Sequence, residues 1–308
     1  MRVIVTGGAG FVGSHVTDAF VARGDEVLVL DDLSAGTREN VPADATLIEL
    51  DVADGYGIGS TFAEFRPEFV CHLAAQASVT VSVADPTKDF ASNVLGTFNV
   101  VRSATAAGAR MAFASTGGAL YGEGAPIPTA ETYVPQPLSP YGAGKQAGEA
   151  YVATFQRFHE IGHVVLRLGN VYGPRQNPHG EAGVVAIFSE RLLLGQAPIV
   201  YGHGTPTRDY VHVRDIARAF ASLPETDASG TFNLGWGREV SVLDVLNGLQ
   251  KAAGTSIEPQ LEPLRPGELT RSAIDSAAAA DAFRWQPEIE LDEGLADTFR
   301  WYAEHRPG

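Results

Sequence analysis

The chain has 308 residues, long for one compact core, which suggests one large domain or two fused ones. With 44% hydrophobic and 19% charged residues it reads as a globular protein and not a disordered one, and no apolar run reaches the length of about 18 residues that a membrane-spanning helix needs. The formal net charge of −15 argues against nucleic acid as the main partner, although a phosphorylated small molecule needs only one or two local arginines.

Residues 2–6, RVIVT, form a β-branched apolar run that ends at glycines. This strand begins at once, which leaves no room for a signal peptide and makes a cytoplasmic protein the expectation. Helical apolar spacing follows over 11–23, through Phe11, Val12, Val16, Ala19 and Phe20. Further apolar runs lie at GDEVLVLDD, at 45–50, 68–73, 109–115 and 163–169, with helix-like segments at 54–65, 87–107 and 141–160 between them. The runs are apolar on both faces, as in a parallel sheet covered by helices, so the alternation predicts a doubly wound α/β sheet. The single cysteine, Cys71, sits inside one of these runs and reads as a small buried hydrophobe; it excludes an internal disulfide and a cysteine zinc site. The eight histidines, His179 among them, do not cluster, and no metal is expected.

After Gly169 the texture changes. Residues 170–183 are rich in Gly, Pro and Asn and read as a long loop of the kind that is usually functional. A helix over 184–194, a strand at PIVYG (198–202), a helix after DYVHVRD, a strand near 231–235, an alanine-rich helix at 276–283 and helices at 241–253 and 292–304 are predicted beyond it. The expected division is a nucleotide-binding domain over 1–169 and a smaller mixed α/β substrate-binding domain over 170–308, with some segments interleaved.

The motif TGGAGFVG supplies Gly7, Gly10 and Gly13 between the first strand and the first helix. There Gly7 permits a tight turn, Gly10 lets a pyrophosphate approach the backbone, and Gly13 lets helix and strand pack closely. The helix N-terminus offers free N–H groups to the phosphates. Asp31 ends the second strand, where a carboxylate accepts both hydroxyls of an adenosine ribose; no arginine follows immediately, which favours NAD over NADP. Asp51, after the third strand, is placed to reach the adenine edge, whereas Asp54 reads as a helix cap.

SPYGAGKQAGEAY places Tyr141 one helical turn before Lys145. Oxidising an alcohol needs a base for the hydroxyl proton, and an unperturbed tyrosine titrates too high, at about 10. A lysine on the same helix face, together with an oxidised nicotinamide, favours the phenolate. The pair downstream of a dinucleotide fold is therefore a working acid–base unit.

With these residues in view, the chain resembles the extended short-chain dehydrogenases/reductases, and within them the UDP-sugar 4-epimerases of the UDP-glucose 4-epimerase type. The likeness runs through TGGAGFVGSH, DDLSAG, HLAAQASV, NVLGT, STGGALYGE, SPYGAGK, NVYGPRQNPHGEAGVVAIF, TRDYVHV and RPGE. It implies a Rossmann sheet that binds NAD through Gly7, Gly10, Phe11, Val12, Gly13, Asp31, Asp32, Asp51, Val52, Leu73, Ala74, Ala75, Asn93, Ser115, Tyr141 and Lys145. It implies Tyr141 as acid/base and Lys145 as its tuner. The family's third member, a Ser or Thr four residues before the tyrosine of V-Y-G, is Gly117 here, so its role goes to Thr116, with Ser115 or a water as alternatives. The 4,6-dehydratases of the superfamily carry an Asp-Glu pair after the threonine; Gly117, Gly118 and Ala119 stand here instead, so oxidation followed by re-reduction remains. On the substrate side the resemblance implies Asn170, Val185, Tyr201, Arg208, Arg265 and Glu268 as contacts of a UDP-sugar. UDP-glucose/UDP-galactose comes first. A uronate pair is disfavoured by Asn177 after GPRQ, with Arg175 or Arg191 as possible substitutes for the missing cation. Readings of other kinds are a non-catalytic NAD(H)-binding regulator and a dehydrogenase or reductase that releases NADH. The resemblance also implies a homodimer paired through the helices at 87–107 and 141–160.

Overall fold

The computed structural model describes residues 1–179, 183–264 and 269–305. The first half alternates as the hydrophobic runs predict: β1 (Arg2–Thr6), α1 (Phe11–Ala22), β2 (Glu26–Asp31), β3 (Thr46–Glu49), α2 (Gly55–Phe65) and β4 (Phe69–His72). There follow the short helices α3 (Val79–Ala84) and α4 (Pro86–Asp89), a π-helical stretch Phe90–Gly96, α5 (Thr97–Ala106), β5 (Arg110–Thr116), α6 (Pro140–His159), β6 (Val164–Leu168) and β7 (Asn170–Tyr172). The second half supplies α7 (Val184–Leu193), β8 (Ile199–Tyr201), β9 (Thr207–Arg208), β10 (Tyr210–His212), α8 (Val213–Ser222) and β11 (Gly230–Leu234). It ends with β12 (Val240–Ser241), α9 (Val242–Ala253), β13 (Gln260–Glu262), α10 (Ala277–Phe283) and α11 (Leu291–Glu304).

Seven strands pair in parallel in the order β11-β6-β5-β4-β1-β2-β3. The chain therefore starts in the middle of the sheet, and the strand order reverses between β1 and β4, the crevice in which such sheets bind ligands. One apolar core packs α1 and α8 on one face, with Val3, Val5, Phe20, Leu166 and Phe220 inside it. A second packs α2, α5 and α6 on the other, around Ile4, Ile58, Phe62, Val100 and Phe113. A third, built by α7, α9 and α11 around Phe188, Leu246 and Leu295, belongs to the second half of the chain.

The structure differs from the sequence reading in places: β7 forms at Asn170–Tyr172, inside the stretch 170–183 read as a loop. The single helix expected over 87–107 is α4, a π-helical stretch and α5 in succession, and α3 precedes it, capped by the Ser78 side chain on Val81 N. Three valines in α3 carry a β-branched signal that hides this short helix. The strand expected near 231–235 forms as β11, but it pairs with β6 and closes the edge of the first-half sheet. Elsewhere local chemistry sets the boundaries: Asp54 caps α2 on Tyr56 N and Gly57 N, and Ser139 with Pro140 starts α6.

Candidate active site

The glycine loop is tight because its backbone leaves no room for side chains. Gly7 has φ of 72°, and a Cβ there would fall 2.6 Å from Ala74 N at the end of β4. A Cβ on Gly13 would overlap the Gly7 carbonyl oxygen. Gly10 is the N-cap of α1, no side chain caps it, and Phe11, Val12 and Gly13 make the uncapped first turn. Asp31 fastens this loop from the next strand: Oδ2 accepts from Ala9 N at 2.9 Å and Oδ1 from Leu33 N at 2.9 Å. Burial raises its carboxyl pKa, and the bonds from Leu33 and Ala9 lower it again.

The remaining cofactor candidates border the same crevice or its edge. Asp32 is exposed and accepts from Ser34 N and Oγ. Asp51 is exposed and turns its Oδ1 to Ala53 N at 2.8 Å. The Val52 side chain is buried in the core between α2 and α5, so only its backbone is available to a ligand. Leu73, Ala74 and Ala75 run on from β4, with Leu73 N bonded to Thr6 O. Asn93, in the π-helical stretch, donates Nδ2 to Gln76 O and to Asp89 Oδ1, and its Oδ1 is buried without a hydrogen-bond partner.

Tyr141 and Lys145 occupy the first two turns of α6, facing the end of β5. Lys145 is 2% exposed; Nζ donates to Ala114 O at 2.9 Å and lies 4.8 Å from the centre of the Phe113 ring. Burial pulls its pKa down to about 8 against the opposing pull of Asp89 and then Glu149. Burial pushes the Tyr141 phenol up to about 12, a hydrogen bond with Thr116 pulls it down, and the Asp89 carboxylate pushes it further up. The lysine is expected from the sequence to loosen the phenol; in the protein alone desolvation wins, so a further positive charge is needed to favour the phenolate.

The two candidate hydroxyls separate cleanly, because consecutive residues on a strand face opposite ways. Thr116 meets the phenol. Ser115 instead donates Oγ to Glu149 Oε1 at 2.5 Å in a buried network, which engages its hydroxyl within the protein. The place of Gly117 is filled from the second half of the chain: a Cβ there would meet Ile274 Cδ1 at 2.7 Å.

On the substrate side, Asn170 opens β7 with its Oδ1 3.3 Å from where a Gly118 Cβ would stand, so it borders the loop after β5. At 1% exposure the Val185 side chain lies in the third core, so α7 offers a ligand only the backbone of its first turn, N-capped by Gly183 without a side-chain bond. Tyr201 ends β8 and Arg208 ends β9, both half-buried. Beside Arg208, the buried Asp209 accepts from Trp236 N, Gly237 N and Ile274 N, which fixes that strand end. Arg265 and Glu268 lie outside the described residues.

The model of the NAD dependent epimerase/dehydratase family matches residues 3–235. The chain belongs to this family. It is 42% identical to the UDP-glucose 4-epimerase of Mycolicibacterium smegmatis over 98% of each chain. The crystal structure of the Thermotoga maritima UDP-glucose 4-epimerase with UDP-glucose superposes with a TM-score of 0.96 at 42% identity, covering 99% of each chain. That of the Thermus thermophilus UDP-glucose 4-epimerase complex with NAD gives 0.92 at 45% identity, covering 99% of this chain and 100% of that one.

The residues present fit the family's NAD. Gly7 and Gly13 make a cradle that any side chain would fill, and the first turn of α1 keeps its N–H groups for phosphate. Among the described residues no arginine or lysine forms an ion pair with Asp31, whose carboxylate suits a ribose diol and repels a 2′-phosphate. Sequence reasoning missed Asp89, which meets α6 at Gly144, Gln76, which donates to Asp89, and the buried pair of Glu149 on α6 with Arg167 at 2.7 Å. The only sequence signal for Asp89 was Gly144, a glycine inside a helix with no turn to explain it.

Proposed function

We propose that this chain interconverts the C4 epimers of a UDP-sugar, first of all UDP-glucose and UDP-galactose, through a transient 4-keto sugar. The observation that carries the reading is the hydrogen-bonded Tyr141 and Thr116, with Lys145 one turn along α6, at the crevice that the glycine cradle opens. NAD, when bound, supplies a reversible two-electron acceptor for the carbon that bears the hydroxyl. Tyr141 takes the proton of the sugar 4-hydroxyl and later returns it, so one phenol serves both halves of the cycle. Thr116 hydrogen-bonds the same oxygen and keeps it in reach of the phenol. Lys145 holds a positive charge beneath the site through its bond to Ala114 O. Gly117, Gly118 and Ala119 offer no acid to expel water, which supports epimerisation over elimination.

Asn170, Tyr201, Arg208, Arg265 and Glu268 hold the UDP end, with Val185 acting through the backbone of α7. The guanidinium groups grip the diphosphate bidentately, and this anchor lets the keto sugar turn its other face before it is reduced. A neutral hexose is supported by the engagement of Arg191 and Arg175, the two substitutes for the missing cation: Arg191 Nε donates to Ala197 O and Arg175 pairs with Asp18. Residues 1–169 serve NAD and 170–308 the UDP-sugar, with β11 an exception by its place in the sheet. The protein acts in the cytoplasm as a homodimer, in support of which Phe90, Leu95, Tyr151 and Phe158 expose apolar surface on the π-helical stretch and α6; a monomeric sedimentation coefficient would remove that part.

The test is a panel of UDP-hexoses and UDP-uronates assayed for 4-epimer formation, run with Tyr141→Phe. The variant is expected to bind NAD and to lose turnover by about 100-fold or more. Near-normal epimerisation by it would refute Tyr141 as the base, and net NADH release would point to a dehydrogenase.

A further inference from the structure

Two glycines separate Tyr141 from Lys145, and each has a neighbour that requires it. A Cβ on Gly142 would fall 2.6 Å from the Ala119 carbonyl oxygen, and one on Gly144 would fall 2.9 Å from Asp89 Oδ2 and 3.1 Å from Asn93 Cβ. Gly144 therefore admits a carboxylate against α6, between the tyrosine and the lysine. Asp89 is 2% exposed. Its Oδ1 accepts from Asn93 Nδ2 at 2.8 Å and from Gln76 Nε2 at 3.1 Å. Gln76 is itself fixed, since its Oε1 accepts from Ser78 N and its Nε2 donates to Ser78 O. These partners are neutral, so they hold the carboxylate in place without cancelling its charge. Among the described residues no arginine or lysine stands at ion-pair distance from it.

We propose that Asp89 is a positioning residue of the acid–base pair: a fixed buried negative charge, let in by Gly144, that sets through Tyr141 and Lys145 the pH window in which the pair moves a proton. The inference rests on the reading of Tyr141 as the base.

Few other groups face the pair. From further along α6, Glu149 acts on Lys145, and Arg167 of β6 clamps Glu149 with bonds of 3.0 Å and 2.7 Å. From β4, His72 lies near Lys145; burial pulls its pKa down to about 3, so it is neutral in the working range. From β5, Thr116 bonds the phenol. Among the described residues, Asp89 is thus the one group whose charge acts on both Tyr141 and Lys145. A neighbouring anion disfavours the phenolate and favours the ammonium, and so raises both pKa values. Its own carboxyl is raised by burial and lowered again by Asn93, Gln76 and Lys145.

Asp89→Asn keeps the shape and removes the charge. In the NAD-loaded protein the two limbs of kcat/KM against pH report the phenol and the ammonium losing their protons. Both limbs are expected to move to lower pH, by about 1 unit or more. Ultraviolet titration of the phenolate band, taken as the difference from Tyr141→Phe, is expected to move the same way. A scaffold role for Asp89 would lower the plateau and leave both limbs and the titration in place, and that result overturns the proposal. Should Tyr141→Phe keep normal turnover, the acid–base reading itself fails; an inactive Tyr141→Phe with unmoved limbs in Asp89→Asn removes only the role of Asp89. If the Asn variant does not fold, Gly144→Ala pushes the carboxylate off the pair, and the same shift is required of it.

Discussion

The loop at the first strand-to-helix turn and the loop after β5 both lack side chains at the site, for opposite reasons. At Gly13 the obstacle to a Cβ is the backbone carbonyl of Gly7. That oxygen belongs to a turn whose other side abuts Ala74 and whose strand is paired on both edges. Nothing there can move. At Gly117 the obstacle is Ile274 Cδ1, the soft end of a side chain from a segment far along the sequence. The first glycine is a demand of local geometry. The second is a matter of tertiary packing, in which the position where the resemblance implies a hydroxyl is filled by an aliphatic neighbour while Thr116 meets the phenol.

The contrast fixes the scale of what substitution should do. Gly13→Ala is expected to force α1 away from the turn, since the overlap is with backbone. A loss of more than about 4 kcal/mol in stability, read by urea unfolding, should come with loss of bound NAD. A folded Gly13→Ala protein with normal stability and NAD content would break the comparison, because both glycines would then be tolerant.

The same contrast explains what the sequence reveals. The glycine loop, Asp31 and the Tyr141–Lys145 spacing are legible because each depends on residues close together in the chain, with the strand or helix period linking them. The strands are legible because both faces of a parallel sheet are buried, which produces apolar runs. Their order is not: β11 follows the second-half helices in sequence and still joins β6. Nor is the break in the helix over 87–107, where the π-helical stretch brings Gly96 against Val52 of another segment. Asp89 against Gly144 and Ile274 against Gly117 are contacts between distant segments with no periodic signal. The network under β5 is of the same kind: Arg167 joins Glu149 to the Tyr121 hydroxyl, and that hydroxyl donates to Asn233. Each residue in it reads, in sequence, as an unremarked polar side chain.

The weaker prediction concerns the second loop. Gly117→Ser is expected to cost about 1–3 kcal/mol, since a well-packed neighbour must leave its rotamer to admit the hydroxymethyl group. The backbone at Gly117 adds nothing to this, as its φ lies in the ordinary range. Ile274 also donates its backbone N–H to Asp209 and pairs with Thr129, so it can yield at the tip of its side chain but not at its backbone. Shortening that tip should therefore return part of the loss. In the double variant with Ile274→Val, the destabilisation by Gly117→Ser is expected to fall by about 0.5–1 kcal/mol relative to its effect in the wild-type chain, as contacting residues couple. Additive effects in denaturant unfolding would mean that Ile274 does not hold the place of the missing hydroxyl. The two glycines would then differ in degree and not in kind.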